Sequence, residues 1–367
     1  MAFYLPRELP GTNKKMTSLR PWRLCGKISI LDRSLIALDL SSVESFYRNK
    51  AILIPGGAGF IGSRLAKRLS DLGAAVTVVD PLDPYCGGNL FNLRSCRRHI
   101  HLVREKIEMF VQKNGLKEFS FIFNCVGLSD HNLGFVRPDI DYRINCQSGI
   151  ALVQKLAEGR LPIKILTIGS RSQYGKGPLN IVESDSQQPL DIQSVHKAIL
   201  EHYHDAYGKL FGLDFLYFRL TNTYGPGQRM RGSGIGFVGE IIRDSLDKGE
   251  VTIYGSLDRV KDIVYVDDVV EALLYGGMIK KNSNPVFNVG GRPHQVGELI
   301  ECIQKKIPGI NVKFQSFPEH IKKIDAGDAV LNSKKLFLET GWSPGTSLEE
   351  GISRMIDYYR AHRRHYW

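Results

Sequence analysis

The sequence predicts an α/β fold in which a doubly wound parallel sheet is followed by a smaller C-terminal α/β lobe. Three observations support this. From Lys50 onward, short apolar runs alternate with helical segments. A glycine-rich turn, 56–62, joins the first such run to the first helical segment. After Asn222 the alternation gives way to shorter, mixed elements. Alternation of this kind is typical of parallel sheets covered by helices on both faces.

The predicted elements follow in chain order. Apolar runs of strand length occupy 51–55, 74–80, 100–104, 119–126, 163–169 and 213–220. Helical segments are predicted at 60–72, 106–114, 142–158, 194–211 and 347–361. Runs of β-branched and aromatic residues favour buried strands over helices at these lengths. They predict a Rossmann-type sheet.

The chain divides into three predicted regions. Residues 1–49 form an N-terminal extension that either packs on the main body or serves as a partner-binding or oligomerisation arm. The dinucleotide-binding Rossmann domain is expected at 50–221 and 260–283, and the smaller substrate-binding domain at 222–259 and 284–367.

Composition narrows the class of protein. Of the 367 residues, 43% are hydrophobic and 24% are charged, which is ordinary for a folded globular chain. No apolar run approaches the roughly 20 residues of a membrane-spanning helix. The six cysteines show no paired spacing, so we expect a reduced, cytoplasmic protein with no metal centre.

The net charge of +11 is concentrated at the two ends of the chain. Residues 1–50 carry nine Lys and Arg against four Asp and Glu, and residues 354–367 carry four Arg against Asp357. The region between them is only slightly basic. No nucleic-acid-binding motif is present, so nucleic acid is not a predicted partner.

The glycine-rich turn GGAGFIG predicts a dinucleotide site. Gly56, Gly59 and Gly62 allow a tight turn and bring backbone N–H groups close to a pyrophosphate at a helix N-terminus. Asp80 ends the next strand, 18 residues after Gly62. A carboxylate there accepts a hydrogen bond from the ribose 2′-hydroxyl and repels a 2′-phosphate, which favours NAD over NADP.

Between Lys50 and about Tyr359 the chain resembles the extended short-chain dehydrogenase/reductase family, the NAD-dependent nucleotide-sugar epimerases and dehydratases. The motifs that carry the resemblance occur in order: GGAGFIG, VVD, GGNLFNL, NCVG, IN, GSRSQYG, HKAILE, RLTNTYGPGQ, VKDIVYVDDV, NVGG and ETGWSP. The resemblance implies NAD as cofactor, a nucleoside-diphosphate sugar as substrate and a homodimer.

The resemblance also implies roles for individual residues. The expected cofactor-binding residues are Gly56, Gly59, Phe60, Ile61, Gly62, Asp80, Cys125, Val126, Gly127 and Lys197. Ser170 matches the residue that hydrogen-bonds the reacting sugar hydroxyl, and Asn222 matches one that contacts the diphosphate. Lys261 stands where many members have a diphosphate-binding arginine, and Arg231 is a further expected substrate ligand.

One departure from the family pattern concerns catalysis. The family's catalytic pair is Tyr-x-x-x-Lys, but the residue four before Lys197 is Gln193. A glutamine amide cannot accept a proton near neutral pH. Tyr174, His131 and, less favoured, His196 are the candidate replacement proton acceptors.

A second departure narrows the reaction. Dehydratases of the family carry an Asp-Glu pair where this chain has Arg171 and Ser172, and the decarboxylases' glutamate is also missing. These absences favour a 4-epimerase that works by transient hydride transfer. The alternatives are an atypical dehydratase or dehydrogenase, or a non-catalytic protein that binds NAD and a nucleotide sugar.

Overall fold

The structure, a computed structural model, describes residues 40–281 and 285–367. Elements are numbered within those ranges. The strands are β1 (Ala51–Pro55), β2 (Ala75–Val79), β3 (Ile100–Val103), β4 (Phe121–Asn124), β5 (Lys164–Ser170), β6 (Phe215–Leu220), β7 (Asn222–Tyr224), β8 (Glu250–Tyr254), β9 (Val260–Tyr265), β10 (Val286–Val289), β11 (Arg292–Gln295) and β12 (Asn311–Gln315).

The α-helices lie between these strands and at the C-terminal end. They are α1 (Leu40–Tyr47), α2 (Phe60–Asp71), α3 (Ile107–Lys113), α4 (His131–Val136), α5 (Pro138–Tyr142), α6 (Ser148–Glu158), α7 (Ile192–Phe211), α8 (Phe237–Lys248), α9 (Val266–Met278), α10 (Val296–Lys306), α11 (Glu319–Ile324), α12 (Lys334–Thr340) and α13 (Leu348–His362). A π-helical turn, Arg143–Gln147, leads into α6, and short 3₁₀ turns cover Leu90–Leu93, Arg171–Tyr174 and Arg363–His365.

The predicted Rossmann sheet is confirmed. Seven parallel strands lie in the order β10-β6-β5-β4-β1-β2-β3. The order reverses between β1 and β4, so the loops that follow these two strands diverge to opposite faces of the sheet. The crevice at such a reversal is where open α/β sheets bind ligands.

Both faces of the sheet are buried, which explains the continuous apolar runs in its strands. One face carries a core with Ile52, Ile54 and Phe218 under α1, α2 and α9. The opposite face carries a core with Leu53 and Ile165 under α3, α6 and α7. Helix α1 belongs to the first core because Val43 and Tyr47 are fully buried and the Tyr47 hydroxyl donates to the Leu274 carbonyl at 2.6 Å.

Two smaller sheets follow in the chain. One has the order β11-β9-β7, and the other pairs β12 with β8. A further hydrophobic core joins them to helices α8, α10 and α13 through residues such as Ile242, Ile303 and Ile352. Some of these elements line the crevice, through residues such as Val251 of β8, Lys261 of β9, Phe237 of α8 and Val296 of α10.

The structure corrects two details of the predicted domain boundaries. Strand β10 (Val286–Val289) pairs with β6 in the large sheet, although residues from 284 onward were assigned to the smaller domain. Strand β9 (Val260–Tyr265) belongs to the three-stranded sheet, although 260–283 was assigned to the Rossmann domain. In both cases the sheet to which the strand belongs is set by hydrogen bonds to strands that are distant in sequence. The division into domains itself stays a prediction, and residues 1–39 of the predicted extension lie outside the described residues.

Three further features bear on the sequence predictions. Cys86, Cys96, Cys125, Cys146 and Cys302 carry free thiols. In the described part of the chain, no helix has the length and apolar character needed to cross a membrane. Within the same residues, no group of three or more His, Cys, Asp or Glu side chains could hold a metal ion.

Candidate active site

A cavity of about 970 Å³ opens at the carboxyl ends of β1, β4 and β5, at the reversal of strand order. Most of the predicted site residues line it. They are Gly56, Gly59, Phe60, Ile61, Gly62, Asp80, Cys125, Val126, Gly127, His131, Ser170, Gln193, Lys197, Asn222 and Lys261. Sequence positions up to 205 residues apart therefore meet in one place.

The glycine-rich turn is packed too tightly for larger side chains. Gly56 has a positive φ of 73°, and a Cβ on it would lie 2.7 Å from the Cys125 carbonyl oxygen. A Cβ on Gly62 would lie 2.5 Å from the Gly56 carbonyl oxygen. These contacts place the N-terminus of α2 directly at the cavity, where its free backbone N–H groups favour an anion such as a pyrophosphate.

Asp80 lies at the end of β2, beside this turn. Its carboxylate accepts hydrogen bonds from the backbone N–H groups of Ala58, at 3.0 Å, and Leu82, at 2.8 Å. Burial raises the pKa of Asp80, and the two hydrogen bonds oppose that shift. A carboxylate has about four acceptor positions, so Asp80 can still receive a ribose hydroxyl.

Lys197 projects from α7 onto the floor of the cavity. Its ammonium group donates to the Ile168 carbonyl at 3.2 Å and to the Val126 carbonyl at 3.4 Å. Gly127 leaves room for it, since a Cβ there would lie 3.3 Å from Nζ. Burial lowers the pKa of Lys197 to about 8, while the nearby Asp141 carboxylate opposes that change. The third N–H of the ammonium group is available for a ligand.

Gln193 lies one helical turn before Lys197 and is buried. Its side-chain Nε2 donates to the Leu128 carbonyl. The amide therefore fixes the loop after β4 against α7. The amide supplies no proton acceptor at this position.

His131 follows that loop at the start of α4, and its partner is Asp191. His131 Nδ1 lies 2.9 Å from Asp191 Oδ2. The other oxygen of Asp191 accepts from the backbone N–H and the hydroxyl of Ser194, both at 2.8 Å, which caps α7. Burial would raise the pKa of Asp191, but the hydrogen bonds from His131 and Ser194 outweigh burial and lower it.

The contact with Asp191 orients the His131 ring. An ionised carboxylate only accepts, so the ring nitrogen that faces it, Nδ1, is the donor, and in the neutral ring Nε2 is then the nitrogen that carries the lone pair. The side chain of His131 is 42% exposed, and that of Asp191 is 5% exposed. No described residue hydrogen-bonds Nε2, and the ring lines the cavity.

Three contacts arrange the loop after β4 along α7. The Val126 carbonyl accepts from Lys197, and the Leu128 carbonyl accepts from Gln193. The third contact joins His131 to Asp191. Lys197 thus lies beside the reversal of strand order, and His131 lies farther along the cavity, toward the N-terminus of α7. Both side chains line the cavity.

Ser170 ends β5 at the cavity. Its Oγ accepts from the Ser172 backbone N–H at 3.1 Å and from the Ser172 hydroxyl at 2.8 Å. With its lone pairs engaged in this way, the Ser170 hydroxyl is available as a donor. It can bind a sugar oxygen but cannot take a proton from it.

Tyr174 is a wrong prediction as proton acceptor, because its side chain does not line the cavity. It is only 3% exposed, and its hydroxyl donates to Asn288 Oδ1 at 2.7 Å and accepts from the Arg219 guanidinium. Burial raises the pKa of Tyr174 to about 12. His196 is also turned away from the cavity, with Nδ1 2.6 Å from Asp141 Oδ1.

Asn222 and Lys261 lie together on the wall opposite the glycine-rich turn. The Asn222 amide donates to the Asp262 carbonyl at 2.9 Å. The Lys261 ammonium group lies 3.9 Å from an Asp325 carboxylate oxygen. Burial, followed by the nearby Arg259 charge, lowers the pKa of Lys261 to about 8. An anionic ligand would offset both effects.

Arg231 does not line this cavity, which corrects its predicted role as a substrate ligand. It is exposed and borders a neighbouring recess of about 420 Å³ together with Tyr85 and Ser233.

Sequence reasoning missed several residues of the cavity wall, among them Asp191 and Arg171. The position of Asp191 just before a helical segment identifies it in the sequence as a helix-capping residue. Its contact with His131 could not be predicted, because the two residues are 60 positions apart. In the sequence, Arg171 stands out only because it occupies a position where the dehydratases have a carboxylate. It lines the cavity, and no described residue forms an ion pair or hydrogen bond with its side chain.

This combination of sheet, glycine-rich turn and buried lysine defines a dinucleotide-dependent enzyme class. Residues 52–290 match the model of the NAD dependent epimerase/dehydratase family. The match covers more than half of the chain, and the chain belongs to this family.

Individual relatives agree with the family. A putative UDP-glucose 4-epimerase of Methanocaldococcus jannaschii is 25% identical over 316 residues, which are 85% of this chain and 99% of that protein. A probable UDP-glucuronate 4-epimerase of Rhizobium meliloti is 24% identical over 349 residues, 84% of this chain and 96% of the other. The crystal structure of UDP-glucose 4-epimerase with UDP-glucose from Thermotoga maritima superposes with a TM-score of 0.76 at 27% identity, covering 85% and 99% of the two chains.

NAD is the cofactor of this family, and the residues present fit it. Gly56 and Gly62 let the turn pack closely on itself and on the strand that ends before Cys125, and both line the cavity where the N-terminus of α2 lies. Asp80 and Lys197 are each placed to bind a ribose, one beside the turn and one beyond β4.

Proposed function

We propose that this protein is a nucleoside-diphosphate-sugar 4-epimerase in which His131, oriented by Asp191, replaces the family tyrosine as proton acceptor. The observation that carries the proposal is the His131–Asp191 contact in the wall of the cavity that also holds Lys197 and Ser170. His131 has the open nitrogen that Gln193 lacks.

The binding roles follow from the contacts described above. The turn at Gly56–Gly62, with the N-terminus of α2, binds the pyrophosphate of NAD, and Asp80 accepts from a ribose hydroxyl. Lys197 uses its remaining N–H for the other ribose. Asn222 and Lys261 hold the diphosphate of the sugar nucleotide. NAD supplies a reversible hydride acceptor when bound.

The proton steps belong to Ser170 and His131. As the hydride leaves the sugar carbon, the hydroxyl proton passes to Nε2 of His131, and Ser170 donates a hydrogen bond to the oxygen that becomes the ketone. The Asp191 carboxylate stabilises the imidazolium formed in this way. When the hydride returns to the opposite face of the rotated ketone, His131 returns the proton and the configuration at that carbon is inverted.

The cavity wall argues against dehydration by the family's usual means. Elimination of water needs an acid and a base beside the sugar, and the two residues after Ser170 are Arg171 and Ser172. Arginine is protonated throughout the working pH range, and the Ser172 hydroxyl is bonded to Ser170. An interconversion of epimers requires neither group as an acid.

A substrate panel tests the proposal. The purified protein is assayed for bound NAD after denaturation, then incubated with UDP-, GDP-, CDP- and dTDP-sugars and followed by proton NMR. We expect one sugar to convert into its 4-epimer with no net change in absorbance at 340 nm. An unsaturated or deoxy product would identify a dehydratase, and a steady rise in NADH would identify a dehydrogenase.

If bound NAD were present and no sugar changed, the protein would be a binding protein without turnover. The amide of Gln193, engaged by the Leu128 carbonyl, is the observation that favours this second possibility. The homodimer and the cytoplasmic location stay predictions.

A further inference from the structure

Arg171 is a cation in the cavity wall for which the described part of the chain provides no partner. It begins the 3₁₀ turn Arg171–Tyr174 immediately after Ser170. Its side chain lines the cavity, and no hydrogen bond or ion pair joins it to any described residue. Burial lowers the pKa of Arg171, and the Asp262 and Asp325 carboxylates oppose that shift from a distance.

The neighbouring carboxylates are already engaged. The two oxygens of Asp262 accept from the backbone N–H groups of Gly291, at 2.8 Å, and Leu331, at 3.0 Å. Asp325 pairs with Arg259 at 2.7 Å. Neither forms an ion pair or a hydrogen bond with Arg171.

A cation that is partly buried in a cavity wall and has no partner there is stabilised by a ligand that carries negative charge. The location of Arg171 indicates which part of the ligand would neutralise its charge. It adjoins Ser170, which would bind the reacting sugar hydroxyl, whereas Lys261 and Asn222 supply a separate charge and amide for the diphosphate. Arg171 is therefore a further positive charge in the cavity wall, next to Ser170 in the chain and near enough to Lys261 to help lower the pKa of that lysine.

We propose that Arg171 binds a carboxylate carried by the sugar, so that the substrate class is a nucleoside-diphosphate uronic acid. The proposal rests on the proposed function, since it names the substrate of the same site. A guanidinium matches the geometry of a carboxylate through two parallel N–H···O bonds, which a lysine at this position could not provide. A neutral hexose would leave the Arg171 charge unneutralised.

The test compares two ligands that differ only at C6, UDP-glucose and UDP-glucuronic acid. Their dissociation constants are measured by titration calorimetry on NAD-saturated wild-type protein, Arg171→Gln and Arg171→Lys. If the substrate panel identifies another base, the matched neutral and acidic sugars carrying that base are used. Arg98→Gln, at an exposed arginine outside the cavity wall, is the matched control.

We expect wild-type protein and Arg98→Gln to bind the acidic sugar at least about tenfold more tightly than the neutral one, because charge-assisted bidentate pairs are the strong hydrogen bonds. Arg171→Gln should lose that preference while its affinity for the neutral sugar changes little. Arg171→Lys should fall between the two. Melting temperatures of the variants confirm that they are folded.

Two results would overturn the proposal. Equal weakening of both ligands in Arg171→Gln would assign the arginine to the diphosphate, and no weakening of either would leave it no role in binding. In both cases the 4-epimerase proposal would stand. If NAD-saturated wild-type protein bound no nucleotide sugar of any base, the proposed function itself would fail.

Discussion

Nδ1 of His131 lies 2.9 Å from Oδ2 of Asp191, and this contact joins the loop after β4 to the N-terminus of α7. The same helix carries Gln193 and Lys197, whose side chains bond two earlier carbonyls of that loop. Gln193 supplies no proton acceptor on this helix, whereas His131, held by Asp191, lies in the wall of the same cavity.

Replacing His131 with Gln should lower kcat by about 10²- to 10⁴-fold, the usual contribution of a general base, while NAD and nucleotide-sugar binding persist. Asp191→Asn should also lower kcat, because Asn keeps the cap on α7 but does not stabilise an imidazolium. The measurements are steady-state kinetics on the substrate that the panel identifies, together with calorimetric affinities. Asn132→Ala, one residue beyond His131, is the control for disturbance of the loop. Undiminished turnover in His131→Gln would contradict the role of the histidine.

Gln193→Tyr should not increase turnover. The Gln193 amide bonds the Leu128 carbonyl and supports the loop that carries His131, so a larger ring displaces that loop. The measurement is the initial rate of Gln193→Tyr against that of wild-type protein, with Gln193→Glu as a near-isosteric comparison. A rise in rate of tenfold or more would show that the native site lacks an acceptor, and would favour the binding protein over the enzyme.

Tyr174→Phe should leave kcat unchanged and lower stability. Removal of its hydroxyl leaves the buried Asn288 Oδ1 and part of the Arg219 guanidinium without a partner, at a cost of about 1–3 kcal/mol in the free energy of unfolding. Urea unfolding and kinetics on the folded enzyme separate the two effects. A large loss of kcat in a stable Tyr174→Phe variant would restore the tyrosine as a catalytic candidate.

The buried Lys197 gives a pH dependence of stability. Burial lowers its pKa to about 8 from an ordinary value of 10.5, so between these pH values the unfolded chain binds more protons than the folded one. The contribution of Lys197 to the free energy of unfolding therefore becomes more favourable to the folded state as the pH increases from about 8. In the absence of NAD, the difference in unfolding free energy between wild-type protein and Lys197→Met should shift by about 2 kcal/mol in favour of wild type from pH 7.5 to 9.5.

Urea titrations of both proteins at the two pH values measure this shift. Comparison with Lys197→Met cancels the titration of other groups, including Lys261, whose pKa also lies near 8. A difference that stayed constant, or that moved in favour of Lys197→Met, would show that Lys197 is not buried as a cation.

Local sequence was sufficient to predict the features that depend on few neighbours. The tight turn at Gly56–Gly62 and the strand that ends at Asp80 need only chain geometry and spacing, and the structure has both. The buried strands could be read from continuous apolar runs, because both faces of a parallel sheet are covered.

Features that depend on distant neighbours could not be predicted in this way. Tyr174 is four residues after Ser170, yet a 3₁₀ turn rotates it toward Arg219 and Asn288 and away from the cavity. The pairing of Val286–Val289 with β6 and the contact of His131 with Asp191 are set by packing between remote segments. The spacing of residues along the sequence does not predict these contacts.

The most direct test of the account is proton NMR of wild-type protein and His131→Gln, each with bound NAD, incubated with the nucleotide-sugar panel. The account predicts that wild-type protein equilibrates one sugar with its 4-epimer and that His131→Gln, with unchanged affinity for that sugar, does so at least about 100-fold more slowly. Equal rates in the two proteins, or no epimer formed by NAD-loaded wild-type protein, would contradict it.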